Sequence, residues 1–410
     1  MDWTACGVEL PGSAGPEGHL AIWATALEEG PRAPAVINLL LDRSGSMKGA
    51  PLAAAVEAVQ QFVEMAGAED YLGLVVFDAL AEQRVPLVPM DVAGKRRMIQ
   101  ALHQLRPGSG TALHQALELG AKALQRLLVP GRRPKLLVLT DGEPSVGPDT
   151  EAAFERLGVK LAQSGVSVHA LGLARHYIAE ILAGITLPSG NAFEHVDGPD
   201  GLSVAMGSLA ALLFGEVATH ATVRVRPTGF RAIASRHSYQ AHVEDDALVV
   251  FLGSISRRLT RSVLLSGQLT GAGWGAEIEV SSMQNGEQRR EQIPLHKVEV
   301  DSTQGRFIRG LGLELQLVSA ETASWLSLSR KDNSRSEALL EEAEKALREL
   351  KGLKAAAIRV RRHHERLKDL RAAVERGEGD LPLLIRRAKS ARATAHVSQV
   401  IPLHPERIKR

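Results

Sequence analysis

The sequence predicts an α/β protein whose main unit is a doubly wound, mainly parallel sheet, followed by an all-β sandwich and a helical C-terminal region. Three changes of pattern predict this order. In residues 34–214, strand-like apolar runs and helical periodicities alternate about six times, as expected for a parallel sheet with helices on both faces. In residues 217–300, polar and apolar residues alternate between turns, which is typical of antiparallel strands. From residue 303 the periodicity is helical, and 410 residues suffice for two or three domains.

The N-terminal segment, residues 1–28, contains two strand-like runs, at 5–10 and 19–27, separated by a turn rich in Pro and Gly. These strands precede the alternating region. We therefore expect them to join the β-sandwich of residues 217–300, so that the chain enters and leaves the α/β unit on the same side.

Within the α/β unit, continuous apolar runs indicate strands that are covered on both faces, and helical spacing indicates the segments between them. Pro51 suits the first turn of its helix. The strands are predicted at residues 35–42, 71–77, 135–140, 166–172 and 192–196, and the helices at 51–66, 93–105, 112–128, 150–164, 177–184 and 200–214.

The C-terminal region, residues 303–410, contains one long helical pattern, which we expect to begin near Ser334 or Ser336 and to end at Gly377 and Gly379. The region holds about 23 Lys and Arg residues against about 15 Asp and Glu residues, so the formal net charge of +2 hides a basic excess. Because both signs are mixed, a solvated surface is favoured over a nucleic-acid partner. The apolar stripe of the helix comprises Leu339, Leu340, Ala343, Leu347 and Leu350.

The single cysteine, Cys6, excludes an internal disulfide framework and a thiolate zinc cluster. The first residues lack the pattern of a secretory signal, and the apolar runs are too short to cross a bilayer. The sequence therefore predicts a cytoplasmic location without membrane contact.

A strand that ends in Asp42 leads directly into Arg43-Ser44-Gly45-Ser46. An acid followed by two hydroxyls in a tight turn can direct three oxygen atoms to one place, as hard cations require. Two further segments fit this site. Thr111 follows the glycine-rich Gly108-Ser109-Gly110, and Asp141 follows the strand at 135–140. Because ligands of open parallel sheets bind at the carboxyl ends of strands, we expect these residues to meet.

These five residues resemble the metal-ion-dependent adhesion site of the von Willebrand factor A (vWA) family, which combines DxSxS with a distant Thr and a distant Asp. Asp42, Ser44, Ser46, Thr111 and Asp141 occupy those positions in the family's order and spacing. The resemblance implies a Rossmann-like vWA fold. It also implies direct ligation by Ser44, Ser46 and Thr111, with the aspartates acting mostly through water.

The expected ion is Mg²⁺, with Mn²⁺ or Ca²⁺ possible. The resemblance implies that such an ion takes a carboxylate of a partner protein as its remaining ligand, so that the chain is a non-enzymatic adaptor. We expect the rim around the site to comprise Arg43, Met47, Lys48, Gly110 and Glu143. Arg43 and Lys48 could attract the partner's acid or could be ordinary solvated residues. In the integrin branch of the family, extra acidic residues beside the site often hold a second cation. Here Met47, Lys48 and Gly49 follow Ser46, so the resemblance implies a single metal.

The order of the segments along the chain is similar to that of a group of bacterial cytoplasmic vWA proteins. This similarity implies that a MoxR-type AAA+ ATPase could be a partner. An alternative function is a metal-binding subunit of an enzyme complex, such as a chelatase. A third is a structural role in which the metal only stabilises the fold.

The aspartates and serines of the site could also have a local role, in which they form turns or cap helices. His103 and His114 could reach the site, although ordinary surface positions are favoured.

Overall fold

The computed structural model describes residues 1–12, 15–26, 34–125, 134–173, 177–196, 198–237, 239, 241–257, 260–271, 273–284, 286–329, 331–353 and 357–376. Its strands form three sheets, one of six strands and two of five. Across these residues, no helix combines the length and apolar composition that a bilayer crossing requires.

The chain begins with a hairpin of two long strands, β1 (Asp2–Gly12) and β2 (Gly15–Thr25). The α/β unit then follows. Its elements are β3 (Val36–Asp42), α1 (Ala50–Met65), β4 (Tyr71–Phe77), β5 (Ala81–Pro89), α2 (Val92–His103), α3 (Leu113–Gln125), β6 (Lys135–Thr140), α4 (Glu151–Gln163), β7 (Ser167–Leu173), α5 (Ala179–Thr186), β8 (Phe193–Val196) and α6 (Pro199–Phe214).

The six-stranded sheet has the order β5-β4-β3-β6-β7-β8 and is parallel except for β5. The predicted strands and helices of the unit lie within a few residues of the observed ones. Residues 126–128 of the helix predicted at 112–128 lie outside the described residues. The sequence prediction did not include β5, an edge strand that pairs antiparallel with β4. Its polar residues and two prolines hide the strand pattern, and both are typical of a sheet edge.

Helices cover both faces of this sheet, as its apolar strands predicted. Along β3, Ile37, Leu39 and Leu41 pack into the cluster under α1, α2 and α6. Val36 and Leu40 point the other way, into the cluster under α3, α4 and α5. The strand is therefore buried along its whole length. Its last residue, Asp42, lies at the carboxyl end, where it can contact the loops that follow other strands.

The remaining strands are β9 (Glu216–Thr228), β10 (Ala234–Ser235), β11 (Ala241–Glu244), β12 (Ala247–Ser256), β13 (Thr260–Gln268), β14 (Gly275–Gln284), β15 (Glu287–Ile293) and β16 (Leu295–Lys297). Together with the hairpin, they form two sheets in which neighbours are antiparallel, except that β16 pairs parallel with β1. The sheet orders are β10-β13-β2-β1-β16 and β11-β12-β9-β14-β15. The N-terminal hairpin thus lies in the first of these sheets, where β2 pairs with β13. Residues of both sheets, such as Ile22 and Val250, share one hydrophobic cluster.

Three helices complete the described part: α7 (Thr303–Ser329), α8 (Asn333–Gly352) and α9 (Ala357–Arg376). The prediction of one helix from Ser334 or Ser336 is wrong in two respects. The side chain of Asp332 caps α8 by accepting a hydrogen bond from the Arg335 amide at 3.1 Å, and the helical run is divided between Gly352 and Ala357. Ser336 is buried, where its hydroxyl pairs with Ser324. Gly377 and Gly379 lie outside the described residues.

The apolar stripe predicted for α8 faces the other helices. Leu340, Ala343, Leu347 and Leu350 are buried, while Leu339 is half-buried at the border of the stripe. The stripe packs mainly against α7. The N-terminal part of α7 in turn packs on the hairpin sheet, so that the helices extend the β-region.

Candidate metal centre

The strand order brings two strand ends together at one edge of the central sheet. β3 and β6 are neighbours and parallel, so Asp42 and the Thr140-Asp141 pair emerge side by side. From β3 the chain first continues on one side of the sheet, through β4 and β5, and then returns to the other side at β6. Such a reversal opens the crevice at which α/β sheets bind ligands.

The Asp42–Ser46 segment folds so that its oxygen atoms converge. The Ser44 amide donates a hydrogen bond to Asp42 Oδ1 at 2.8 Å. A single 3-10 turn, Gly45–Met47, follows, and the two serine hydroxyl oxygens lie 3.0 Å apart. The Ser46 hydroxyl donates to Asp141 Oδ1 at 2.7 Å, which joins the two strand ends.

The serines of this segment do not cap helices through their side chains. Ser44 precedes the 3-10 turn without a capping hydrogen bond from its hydroxyl. The residue before α1 is Gly49. The alternative interpretation of Ser44 and Ser46 as helix caps is therefore wrong.

Thr111 is held in place by the loop that follows β6. Its amide donates to the Ser145 hydroxyl at 3.0 Å, and its carbonyl accepts from the amides of Ser145 and Val146 at 3.1 and 3.4 Å. Gly110, with a φ of +76°, makes the turn before it. Thr111 is thus buried, with its backbone N–H and C=O both hydrogen-bonded to the loop after β6.

Gly142 shows how closely the hydroxyl and carboxylate oxygens approach one another. A Cβ atom at this position would lie 3.2 Å from Thr111 Oγ1, 3.6 Å from Asp42 Oδ2 and 3.6 Å from Ser44 Oγ. Oxygen atoms from three separate predicted ligands therefore surround one point. The absence of a side chain at Gly142 keeps that space open.

Asp42 is fully buried, and its charge is costly there. Burial, with a smaller contribution from the neighbouring Asp141, raises the pKa of its carboxyl from 3.8 to about 6, against hydrogen bonds that lower it. One of these bonds comes from Thr140, whose hydroxyl donates to Asp42 Oδ2 at 2.5 Å. Two acids this close in a buried site favour a bound cation.

Arg43 and Asp78 form an ion pair, with 3.1 Å between Nη2 and Oδ2. Their backbones join the same loops, because Gly108 N–H donates to the Arg43 carbonyl at 2.7 Å and Ala112 N–H donates to the Asp78 carbonyl at 2.6 Å. The pair therefore fixes the loop before Thr111. Sequence reasoning missed both Asp78 and Thr140; only their positions at the ends of β4 and β6 could have indicated them.

Of the residues predicted to form the rim, Met47 does not lie at the surface. Met47 is fully buried in the core beneath the site, because the 3-10 turn directs its side chain inward. Lys48 and Glu143 are exposed, and Gly110 is half-buried. Arg43 is half-buried and its charge is balanced by Asp78.

The donor set fits a hard divalent cation. Two carboxylates and three hydroxyls offer oxygen atoms alone, which suits Mg²⁺, Mn²⁺ or Ca²⁺. This site contains only two acids. Within the described ranges, no group of three or more His, Cys, Asp or Glu side chains is placed so that it could hold a metal. Burial raises the pKa of the Cys6 thiol to about 11. His103 is exposed, with its Nε2 3.2 Å from Gln60 Oε1, as expected of a surface histidine. His114 is instead half-buried, with its ring packed edge-to-face against Phe154 and its Nδ1 3.5 Å from Glu118 Oε2.

Sequence comparison finds relatives for the part of the chain that contains this site. An uncharacterized protein of Synechocystis sp. (strain ATCC 27184 / PCC 6803 / Kazusa) is 26% identical over 184 residues, which cover 44% of this chain and 42% of that protein. Human inter-alpha-trypsin inhibitor heavy chain H4 is 26% identical over 216 residues, which cover 49% of this chain and 23% of that protein. The chain thus spans less than half the length of the curated relatives it matches.

Structure comparison extends the similarity in fold to almost the whole chain. A von Willebrand factor type A protein from Catenulispora acidiphila has a TM-score of 0.72 at 15% identity, covering 97% of this chain and 96% of that one. The ArnB paralog VWA2 from Sulfolobus acidocaldarius has a TM-score of 0.59 at 14% identity, covering 97% and 99%.

A family model described as the von Willebrand factor type A domain matches residues 37–143. This range includes the five residues that converge at the sheet edge. The chain therefore contains a von Willebrand factor type A domain with an α/β, Rossmann-like fold.

Proposed function

We propose that the chain is a non-enzymatic adaptor that binds a partner protein through one divalent cation, Mg²⁺ in the cell. Asp42, Ser44, Ser46, Thr111 and Asp141 hold the ion, and the partner supplies an Asp or Glu carboxylate as a further ligand. The observation that carries this proposal is the convergence of these five side chains at the carboxyl edge of the sheet.

The hydrogen bonds of the site leave its hydroxyl oxygens available to a cation. A hydroxyl that donates its hydrogen keeps its lone pairs, and Ser46 donates to Asp141. Ser44, Ser46 and Thr111 are neutral donors, whereas Asp42 and Asp141 provide two negative charges that the ion balances. Because the two aspartates act mostly through water in this proposal, the atoms that contact the ion directly are neutral, and the ion keeps an affinity for an incoming carboxylate.

Binding without catalysis is supported by the surroundings of the hydroxyls. A serine or threonine nucleophile requires an adjacent base, usually a histidine. His103 instead contacts Gln60 on a helix surface, and His114 is half-buried against Phe154 and Glu118. We therefore expect no turnover by the isolated chain. In the cytoplasm, the location proposed here, a MoxR-type AAA+ ATPase is the partner to look for first.

The experiment is a pull-down from the source cell with three baits: the intact chain, Asp42→Asn and the matched control Asp149→Asn, which changes an exposed acid. Each is run with Mg²⁺ and with EDTA. The proposal predicts a partner retained by the intact chain and the control in Mg²⁺ alone, and lost when one partner Asp or Glu is changed to its amide. A partner retained equally in EDTA, or by Asp42→Asn, would overturn it.

A further inference from the structure

Two exposed aliphatic side chains lie beside the candidate metal centre. Leu80, in the turn between β4 and β5, is 69% exposed, and Val146, in the loop after β6, is 38% exposed. With the half-buried Ala79 they form what we call the apolar rim. A Cβ atom on Gly110 would lie 3.1 Å from Val146 Cγ2 and 3.4 Å from Ala79 Cα. Because Gly110 adjoins Thr111, the apolar rim borders the site itself.

The loops do not depend on these side chains for their conformation. In the β4–β5 turn, the Asp78 amide donates to the Leu80 carbonyl and the Leu80 amide donates to Asp78 Oδ1, each at 3.1 Å. The Val146 amide donates to the Thr111 carbonyl. Backbone atoms thus close both loops, and polar side chains would suit the exposed positions equally well.

A protein that places a carboxylate on the ion must also cover the apolar rim. A typical interface covers about 800 Å² on each partner, far more than the site alone. The fully covered centre of an interface is low in charge and rich in apolar contacts. The positive charge of Arg43 is balanced by Asp78, and the exposed residues around the site include the apolar Leu80 and Val146 as well as the charged Lys48 and Glu143.

We infer that the apolar rim is a specificity surface, which binds an aliphatic or aromatic side chain located next to the metal-binding acid of the partner. The occupant is therefore a protein segment that combines an Asp or Glu with a neighbouring bulky apolar residue. This inference rests on the proposed function, because the acid must first bind the ion.

The test uses displayed peptides that carry one fixed Asp with randomised residues on both sides, selected in Mg²⁺ on the full chain. Leu80→Ser and Val146→Ser are compared with Val159→Ser, which changes a similarly exposed valine on α4. Mg²⁺ binding by each protein is measured separately, as a check that the fold and the site are intact.

The intact chain and Val159→Ser should enrich Leu, Ile, Met or Phe at a constant offset from the Asp. Each rim variant should bind Mg²⁺ normally and bind the enriched peptide about tenfold more weakly. Selection of acidic peptides without an apolar preference, or a preference unchanged in both rim variants, would overturn the inference and leave the proposed function intact. Peptide binding that ignores Mg²⁺ or the Asp would overturn both.

Discussion

The two ends of the central sheet both bury charged side chains, but they balance the charge differently. At the amino end, Lys135 at the start of β6 pairs with Glu216 at 3.1 Å, and Asp70 accepts the amides of Ala35 and Gly67 at 2.8 and 2.7 Å. At the carboxyl end, Asp42 lies beside another acid, Asp141, and its hydrogen bonds come from neutral groups, the hydroxyls of Thr140 and Ser44 and the Ser44 amide.

This difference separates structural charge from charge that requires a ligand. The Lys135–Glu216 pair joins the α/β unit to β9 and is complete within the chain. At the carboxyl end, the pKa of Asp42 is raised and the oxygen atoms of several side chains converge. A bound divalent cation would complete this site. Changes at the amino end should therefore affect stability whether or not metal is present, and changes at the carboxyl end should affect the response to metal.

The largest effect is expected from Lys135→Met, which leaves Glu216 largely buried without its lysine. Loss of one partner of a buried pair costs about 3 kcal/mol. We expect the free energy of unfolding to fall by about this amount, equally with Mg²⁺ and with EDTA, in denaturant titrations. The double variant Lys135→Met/Glu216→Gln should recover part of the loss. A change in the stabilisation that Mg²⁺ provides would contradict the proposed difference between the two ends of the sheet.

Asp42→Asn should remove the stabilisation that Mg²⁺ provides, about 2.7 kcal/mol when the ion is present at 100 times its Kd. In EDTA at neutral pH the same variant should be more stable than the original chain, because it removes a buried charge next to Asp141. Thermal unfolding with and without Mg²⁺ measures both effects. Greater instability in EDTA would show that the carboxylate is structural, like Asp70.

The pH dependence should also identify the carboxyl end. The pKa of Asp42 is about 6 in the folded chain and 3.8 ordinarily, so the metal-free chain loses stability as pH rises from about 4 to 6. The loss is on the order of 3 kcal/mol. Since Mg²⁺ binds the ionised carboxylate, its stabilising effect should be large at pH 7.5 and fall as pH drops below about 6. A Mg²⁺ effect of the same size at pH 5 would contradict this account.

The smallest effect is expected from Gly142→Ala, which changes no predicted ligand. Its Cβ would lie 3.2 Å from Thr111 Oγ1, a contact tight enough to displace the hydroxyl. We expect Mg²⁺ binding to weaken about fivefold to tenfold, which corresponds to a strain of about 1 kcal/mol. Gly275→Ala, whose Cβ would meet no atom within 4 Å, is the control in calorimetric titrations.

The sequence predicted the α/β sheet and the convergence at its edge because both follow from local patterns. Buried strands are continuous apolar runs, and polar residues at the ends of parallel strands must meet at one edge. β5 was missed because an edge strand is half solvated and need not be apolar. The buried position of Met47 and the ion pair of Arg43 depend on the 3-10 turn and on Asp78 from a distant loop, which residue spacing does not reveal.

The most direct test of the central claim is a crystal structure grown with Mn²⁺ in place of Mg²⁺, in which anomalous scattering locates the ion. The account predicts one ion at the carboxyl edge of the sheet, bound directly by the hydroxyl oxygens of Ser44, Ser46 and Thr111, with Asp42 and Asp141 beside it. An ion bound elsewhere, or no ion at this edge in millimolar Mn²⁺, would contradict the account.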